Sequence, residues 1–143
     1  GGGTDADGIA LRAWWRPDET GTVLPSVSIG FDSMSFTDLS HTNHVATGNG
    51  YSIAFNWEDM VQADDRIGIA FGQPMKATSM ATGSAVVGEA SLSEVDPFLW
   101  EAYYSFKPND SIEVSTGLFG GTDVYEDSND DIFGTVLQTT FKF

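Results

Sequence analysis

The carboxyl-terminal stretch "DDIFGTVLQTTFKF" alternates between two kinds of side chain. Counting back in twos from Phe143, one side of the chain is largely apolar, and the other side is mostly small or polar. Successive side chains of a β-strand point to opposite faces, so this period predicts a two-faced strand that runs to the last residue.

The same period recurs along the chain, whereas few segments space apolar residues three or four apart, as a helix would. The pattern predicts an all-β, antiparallel fold of seven strands, near residues 8–16, 23–36, 49–57, 66–73, 97–106, 111–120 and 131–143. One face of these strands is apolar and includes Ile9, Leu11, Trp15, Ile29, Phe31, Ile53, Phe55, Trp57, Ile67, Ile69, Phe71, Phe98, Trp100, Phe106, Val114, Leu118, Phe133 and Leu137. The opposite face is polar or small.

The connections between these strands alternate in length. "PDETGT", "WEDMVQADD" and "KPND" are short, whereas the stretches at 37–49, 73–96 and 121–131 are longer, polar and rich in Gly, Ser, Asp and Thr. The sequence therefore predicts a sheet with short turns at one end and long loops at the other.

Composition narrows the range of functions. The 143 residues suffice for one domain, and 6 basic against 21 acidic residues give a formal net charge of −15. This charge repels nucleic acid, so we expect no nucleic-acid partner. There is no cysteine, which excludes disulfides and thiolate chemistry.

Two architectures share this pattern. A soluble β-sandwich turns its apolar faces inward, whereas a membrane β-barrel turns them towards lipid and lines a lumen with the polar faces. Aromatic residues at both ends of an apolar row, such as Phe98 and Phe106 or Phe133 and Phe143, are typical of the girdles of a membrane barrel. Ten residues tilted by about 40° span roughly 26 Å, close to the height of its lipid-facing band. The pattern favours a transmembrane barrel, with a secreted, soluble β-sandwich for binding or adhesion as the alternative.

In a barrel, the charged and polar residues of the polar face become candidate pore-lining residues. They are Arg12, Arg16, Asp32, Glu58, Arg66, Glu101, Glu113, Gln138 and Lys142. The three arginines either form a basic stripe that steers anions or pair with the carboxylates of the same face, and the sequence leaves both possibilities open.

The sequence gives weak support for metal binding or catalysis. His41 and His44 lack a third metal ligand, and Asp127, Asn129 and Asp131 lack the glycine and glutamate of an EF-hand loop. Solvated loops are favoured, with loose divalent bridging to lipopolysaccharide left open. No nucleophile elbow or phosphate-binding loop is present, so we expect neither an enzyme nor a cofactor.

Three stretches, "FNWEDMVQADDRIGIAFGQP", "DPFLWEAYYSFKPNDSIEVSTGLF" and "NDDIFGTVLQTTFKF", resemble the carboxyl-terminal part of cyanobacterial outer-membrane porins of the iron-uptake group, related to carbohydrate-selective porins. The resemblance implies a trimeric barrel of about sixteen strands in the outer membrane, which passes ions and small hydrophilic solutes passively. It also implies contact with lipid and lipopolysaccharide and a periplasmic domain that anchors the protein to peptidoglycan. The final strand, with Phe141 and Phe143, resembles the signal that the barrel-assembly machinery recognises.

The odd number of predicted strands indicates either that this chain is part of a longer one or that the count is wrong by one. Single-chain barrels of this type have an even number of strands, and an open sheet edge is not tolerated in lipid. We therefore expect residues 1–143 to be the carboxyl-terminal portion of one barrel domain.

Replacing Phe143 with glutamate is expected to reduce insertion of the full-length protein more than Lys142→Glu. Phe143 continues the apolar row of the terminal strand, whereas Lys142 belongs to the polar row. The measurement is the heat-modifiable, folded fraction in isolated outer membranes. Equal losses for the two variants would contradict the prediction.

Overall fold

The computed structural model describes residues 4–38, 43–82, 85–88, 96–124 and 131–143. These residues form one antiparallel sheet and no α-helix, which confirms the predicted all-β fold. The strands are β1 (Thr4–Trp15), β2 (Ser26–Asp38), β3 (Asn43–Glu58), β4 (Arg66–Thr82), β5 (Ala85–Gly88), β6 (Phe98–Asn109), β7 (Ile112–Thr122) and β8 (Ile132–Phe141).

Neighbouring strands are joined in the order β1-β2-β3-β4-β6-β7-β8, and the short β5 pairs only with β4. Strands β1 and β8 are the two edges, and within the described residues they do not pair with each other. The sheet is therefore open in this chain.

The seven predicted strands are all present, but two predicted loops were wrong. β3 begins at Asn43 rather than near 49, and β4 continues to Thr82 rather than ending near 73, with β5 following inside the predicted loop. The Thr47 hydroxyl lies 2.6 Å from the hydroxyls of Thr78 and Ser79, linking the two extensions. These extensions mix polar residues with Val45, Ala46, Met80 and Ala81, and bulges shift their register, so no regular alternation of apolar and polar residues marks them.

Pro74 explains why the sequence suggested a break in β4. Asn49 pairs with Lys76 and Tyr51 pairs with Gln73, so β4 holds one more residue than β3 across this interval. Proline cannot donate to a sheet ladder and is found at such bulges. The strand continues past Pro74 because the ladder is interrupted at the bulge, where the lack of a backbone N–H is tolerated.

The terminal strand ends two residues earlier than predicted. β8 ends at Phe141, which pairs with Ile112, the first residue of β7. The Lys142 N–H donates to the Ser111 carbonyl at 2.8 Å, but Phe143 has no residue opposite it and is fully exposed. The last residue therefore lies outside the strand because its neighbour strand has already ended.

The pairing register confirms the two predicted faces. Residues directly opposite each other in neighbouring strands share a face of the sheet. One such row runs across the whole sheet through Ala13, Ile29, Ile53, Phe71, Trp100, Gly120 and Phe133. The predicted apolar residues of every strand thus lie on one continuous surface, here called the apolar face.

This apolar face is exposed rather than packed. Leu11 is 60% exposed and Leu137 is 76% exposed, and the buried hydrophobic residues of the described chain are only Ala46 and Ala81. Ring contacts connect the aromatic residues along the surface, with centroids 6.2 Å apart for Phe55 and Phe71. The single sheet buries almost no hydrophobic side chain, so its apolar face requires cover from outside the described residues.

We expect Gly72→Ala to destabilise the sheet by about 1–3 kcal/mol, the usual cost of overpacking. A Cβ at Gly72 would lie 2.2 Å from the Tyr51 carbonyl oxygen, so β3 and β4 would have to separate. Gly8→Ala is the matched control, because a Cβ there meets nothing closer than 3.6 Å. Urea titration of the refolded, full-length protein measures both, and equal midpoints would contradict the prediction.

Candidate functional site

The polar face of the sheet holds the predicted site residues. Register places Asp32 opposite Ala10 and therefore on the same face as Arg12, and it places Glu58 opposite Arg66. Across the remaining strands the same face carries Glu101, Ser105, Glu113, Ser115 and Gln138. Arg16 and Lys142 lie just beyond β1 and β8 at the short-turn end.

Arg12 is fixed at the β1–β2 edge of this face. Its Nη2 donates to both carboxylate oxygens of Asp32, at 2.8 and 3.0 Å, and its Nη1 donates to the carbonyls of Leu11 and Phe31. Gly30 lies opposite Arg12, and a Cβ there would come within 3.4 Å of the Arg12 side chain. Because Gly30 has no side chain, it leaves room for the side chain of Arg12.

A second polar network joins three strands near the short turns. Arg66 donates to Glu113 at 2.5 Å, and the Ser105 hydroxyl donates to the same carboxylate oxygen at 2.8 Å. Ser115 in turn donates to Ser105 at 2.9 Å. Ser105 is only 3% exposed, so this network is a fixed part of the sheet surface.

These contacts decide between the two possibilities for the arginines. Arg12 and Arg66 each pair with a carboxylate of the same face, which confirms the pairing alternative for these two residues. Within the part of the chain that the structure describes, no ion pair is recorded for Arg16, Glu58 or Glu101. The polar face therefore carries two neutralised pairs together with separate charges of both signs.

The metal hypotheses remain without support. His44 lies in β3, but His41 falls outside the described residues, as do Asp127 and Asn129. Among the described ranges, no three His, Cys, Asp or Glu side chains are close enough to hold a metal ion.

Asp65 organises the turn between β3 and β4, and the sequence analysis did not identify it. Its side chain is fully buried and accepts hydrogen bonds from the backbone N–H groups of Met60, Val61 and Gln62, at 2.8, 3.0 and 3.0 Å. The Tyr104 hydroxyl donates to the same carboxylate at 3.1 Å. One carboxylate thereby ties the turn to β6.

Burial acts to raise the pKa of the Asp65 carboxyl, but the backbone N–H groups and the Tyr104 hydroxyl together hold that pKa below its ordinary value of 3.8. The carboxyl is therefore ionised at neutral pH. A hydrogen-bonding side chain at the end of a turn is a common arrangement, but the sequence does not show which of the adjacent Asp64 and Asp65 turns inward.

The neighbouring turn, residues 16–25, is attached to this one. The Gly21 N–H donates to the Glu58 carbonyl at 2.9 Å, and the Trp57 indole N–H donates to the Val23 carbonyl at 2.9 Å. Gly21 has a φ of +71°, which favours glycine. The two turns therefore form one ordered rim at this end of the sheet.

Bulky apolar residues also occur on the polar face, and the alternation did not predict them as a group. Leu99, Phe119 and Ile132 come together at the long-loop end of β6, β7 and β8. With Ser52, Gly72 and Glu101 they surround a hollow of about 460 Å³. The available signal was "FLW", "LF" and "IF", where consecutive apolar residues interrupt an alternating pattern at the same end of three strands.

A scan against protein-family models found no match, and searches of curated proteins and of solved structures found no similar chain. Among the described residues, none belongs to a helix of the length and apolarity needed to cross a membrane.

Asp65→Asn is expected to lower the thermal midpoint at neutral pH, because the amide cannot accept all the hydrogen bonds of the carboxylate. Since folding depresses the pKa of Asp65, its stabilisation is full above the unfolded value of 3.8 and is lost as pH falls through the folded value. The deficit of the variant should therefore shrink at about pH 3.

Asp64→Asn is the matched control, because asparagine also tolerates the positive φ of 61° at that position. It should leave the midpoint nearly unchanged at both pH values. If the thermal midpoint of Asp65→Asn stayed below that of the natural protein by the same amount at both pH values, the ionised state of the Asp65 carboxylate would not be what stabilises the turn.

Proposed function

We propose that this chain is part of an outer-membrane β-barrel channel through which inorganic ions and small hydrophilic solutes diffuse passively. The observation that carries the proposal is the continuous, exposed apolar face that spans seven strands and lies opposite a polar face. Each exposed leucine, isoleucine or phenylalanine on it would gain about 1.5–3 kcal/mol on leaving water. Lipid is a cover that fits every strand of the sheet at once.

The apolar face has limits along the strands that fit a bilayer. On β2 it runs from Val27 to Phe31 and gives way to Ser33 and Ser35 on the same face. On β3 the residues of this face beyond Tyr51 are Asn49 and Thr47. The long strands therefore leave the apolar band at their long-loop ends, as strands do where they emerge from lipid into water.

Aromatic residues mark the boundary of this band. Phe71 and Phe98 are in contact at its long-loop end, with ring centroids 6.2 Å apart, as are Trp100 and Phe133. Trp57 lies at the short-turn end and donates to the Val23 carbonyl. Girdles of aromatic residues at both edges of an apolar band are typical of transmembrane β-barrels.

In this proposal the polar face lines a water-filled lumen. The unpaired outer edges of β1 and β8 must then meet strands outside this chain, because lipid offers no hydrogen bonds to an open edge. The sixteen-strand total, the trimer, the peptidoglycan-binding domain and recognition of Phe141 and Phe143 by the assembly machinery rest on the porin resemblance.

We expect the channel to prefer cations mildly, with a preference that weakens as salt rises. The charges of Arg12 and Asp32 cancel within one ion pair, and those of Arg66 and Glu113 cancel within a second. The wall therefore contributes little net field. Part of the formal charge of −15 belongs to the acidic stretch 123–131, which joins β7 to β8 in sequence, and in this proposal an acidic mouth attracts cations within about 8 Å at physiological salt.

Reversal potentials across a salt gradient, measured in planar bilayers at low and high ionic strength on the full-length protein, test this expectation. Strong anion selectivity would show that residues beyond this chain, or the free Arg16, dominate the pore. A pure, folded protein that does not conduct would remove the channel proposal and favour the soluble β-sandwich.

A further inference from the structure

The polar face carries a hollow whose walls do not resemble the rest of that face. Leu99, Phe119 and Ile132 stand on its β6, β7 and β8 side, while its β3 and β4 side includes the small residues Ser52, Ala70 and Gly72 beside Gln73 and Pro74. The volume is about 460 Å³, within the range of small-molecule sites, which are mostly apolar with a few polar groups.

Glycines shape this hollow by letting large side chains lean away from β4. The Leu99 side chain occupies the space of a Cβ at Gly121, at 2.5 Å, and the Phe119 ring occupies that of Gly134, at 2.3 Å. On β4 itself Gly72 cannot carry a side chain without meeting the Tyr51 carbonyl oxygen at 2.2 Å. The floor is thus kept open by the backbone and does not depend on a side-chain rotamer.

Glu101 is the charged group of this site. It pairs with Ala70 on one side and Phe119 on the other, at a separation that places opposed side chains about 5 Å apart. It is exposed, and no described residue forms an ion pair with it. The two cations fixed on the polar face, Arg12 and Arg66, are held by other carboxylates.

A second hollow of about 260 Å³ reaches Glu101 from the short-turn side. It shares Glu101 and Phe119 with the first and is bounded by Tyr103, Val136 and Gln138. The Tyr103 ring lies over Gly68, and its hydroxyl donates to Asn56 at 2.9 Å, so the ring is fixed. Glu101 therefore borders both hollows, with Phe119 opposite it on β7 and Tyr103 two residues further along β6.

We propose that this hollow binds an organic cation that has an apolar or aromatic body, held by Glu101 and by the Phe119 ring. A single carboxylate among apolar walls does not replace the oxygen shell that a metal ion requires. An alkylated ammonium is weakly hydrated, gains from the apolar walls, and is attracted by both the carboxylate and the face of an aromatic ring. The site deepens the proposed function, since on that basis the hollow faces the lumen.

Benzyltrimethylammonium is the probe, and benzenesulfonate, with the same ring and the opposite charge, is its comparator. The full-length protein in detergent micelles is titrated by calorimetry against a protein-free micelle blank. We expect saturable binding of the cation and none of the anion. Equal binding of both probes would overturn the proposal.

Variants locate the binding. Glu101→Gln should weaken cation binding at least about fivefold and Phe119→Leu about threefold, while Glu58→Gln, which removes a carboxylate of the same face outside the hollow, should change it less than twofold. An equal loss for Glu58→Gln and Glu101→Gln would show that overall charge governs binding and would overturn the site. If Glu101→Gln did not fold, Phe119→Leu would be compared with Glu58→Gln in its place, and equal binding by those two variants would overturn the site.

Conductance separates this proposal from the proposed channel. In planar bilayers the cation should reduce the current of the natural protein and have less effect on Glu101→Gln. Conductance without binding of the cation or block by it would overturn the proposed cation site but not the proposed channel. Binding that depends on Glu101 in a protein that does not conduct would overturn the proposed channel but not the proposed cation site.

Discussion

The exposed apolar face is the constraint on which the rest of the structure depends. A single antiparallel sheet has two faces and no interior, so apolar residues gathered on one face remain in water unless something else covers them. Here they follow the register across all seven long strands, and the described chain buries only Ala46 and Ala81 as hydrophobic residues. The described sheet therefore has no hydrophobic core of its own, and in the proposed function its hydrophobic stabilisation comes from lipid.

The remaining features work within that constraint. With no core to fix the strands, the sheet is held by its ladders, by the Asp65-centred turn and by the paired charges of the polar face. Glycines allow large side chains to lie flat across neighbouring strands, as Tyr103 does over Gly68 and Phe119 does over Gly134. The same arrangement leaves the hollow beside Glu101 open, so the means of packing a single layer also creates its most distinctive site.

The sequence predicted the strands wherever one face is apolar, because only there does a period of two appear. It failed along the outer parts of β3 and β4, where polar and apolar residues are mixed and bulges shift the register, so that only the pairing of the two strands defines them. It placed the charged residues on one face but could not tell a basic stripe from ion pairs, since pairing depends on register. It also missed Asp65, whose importance comes from backbone N–H groups that no sequence pattern marks, and the hollow, whose walls meet only after β6, β7 and β8 align.

The central claim is that the apolar face meets lipid and the polar face meets water. Since the chain has no cysteine, single cysteines can be placed along β7 of the full-length protein in vesicles and labelled with a fluorophore. Labels at Val114, Thr116 and Leu118 should be quenched by brominated lipid, and labels at Ser115, Gly117 and Phe119 should be quenched by a water-soluble agent. Lipid quenching of the second set, or of neither set, would contradict the account.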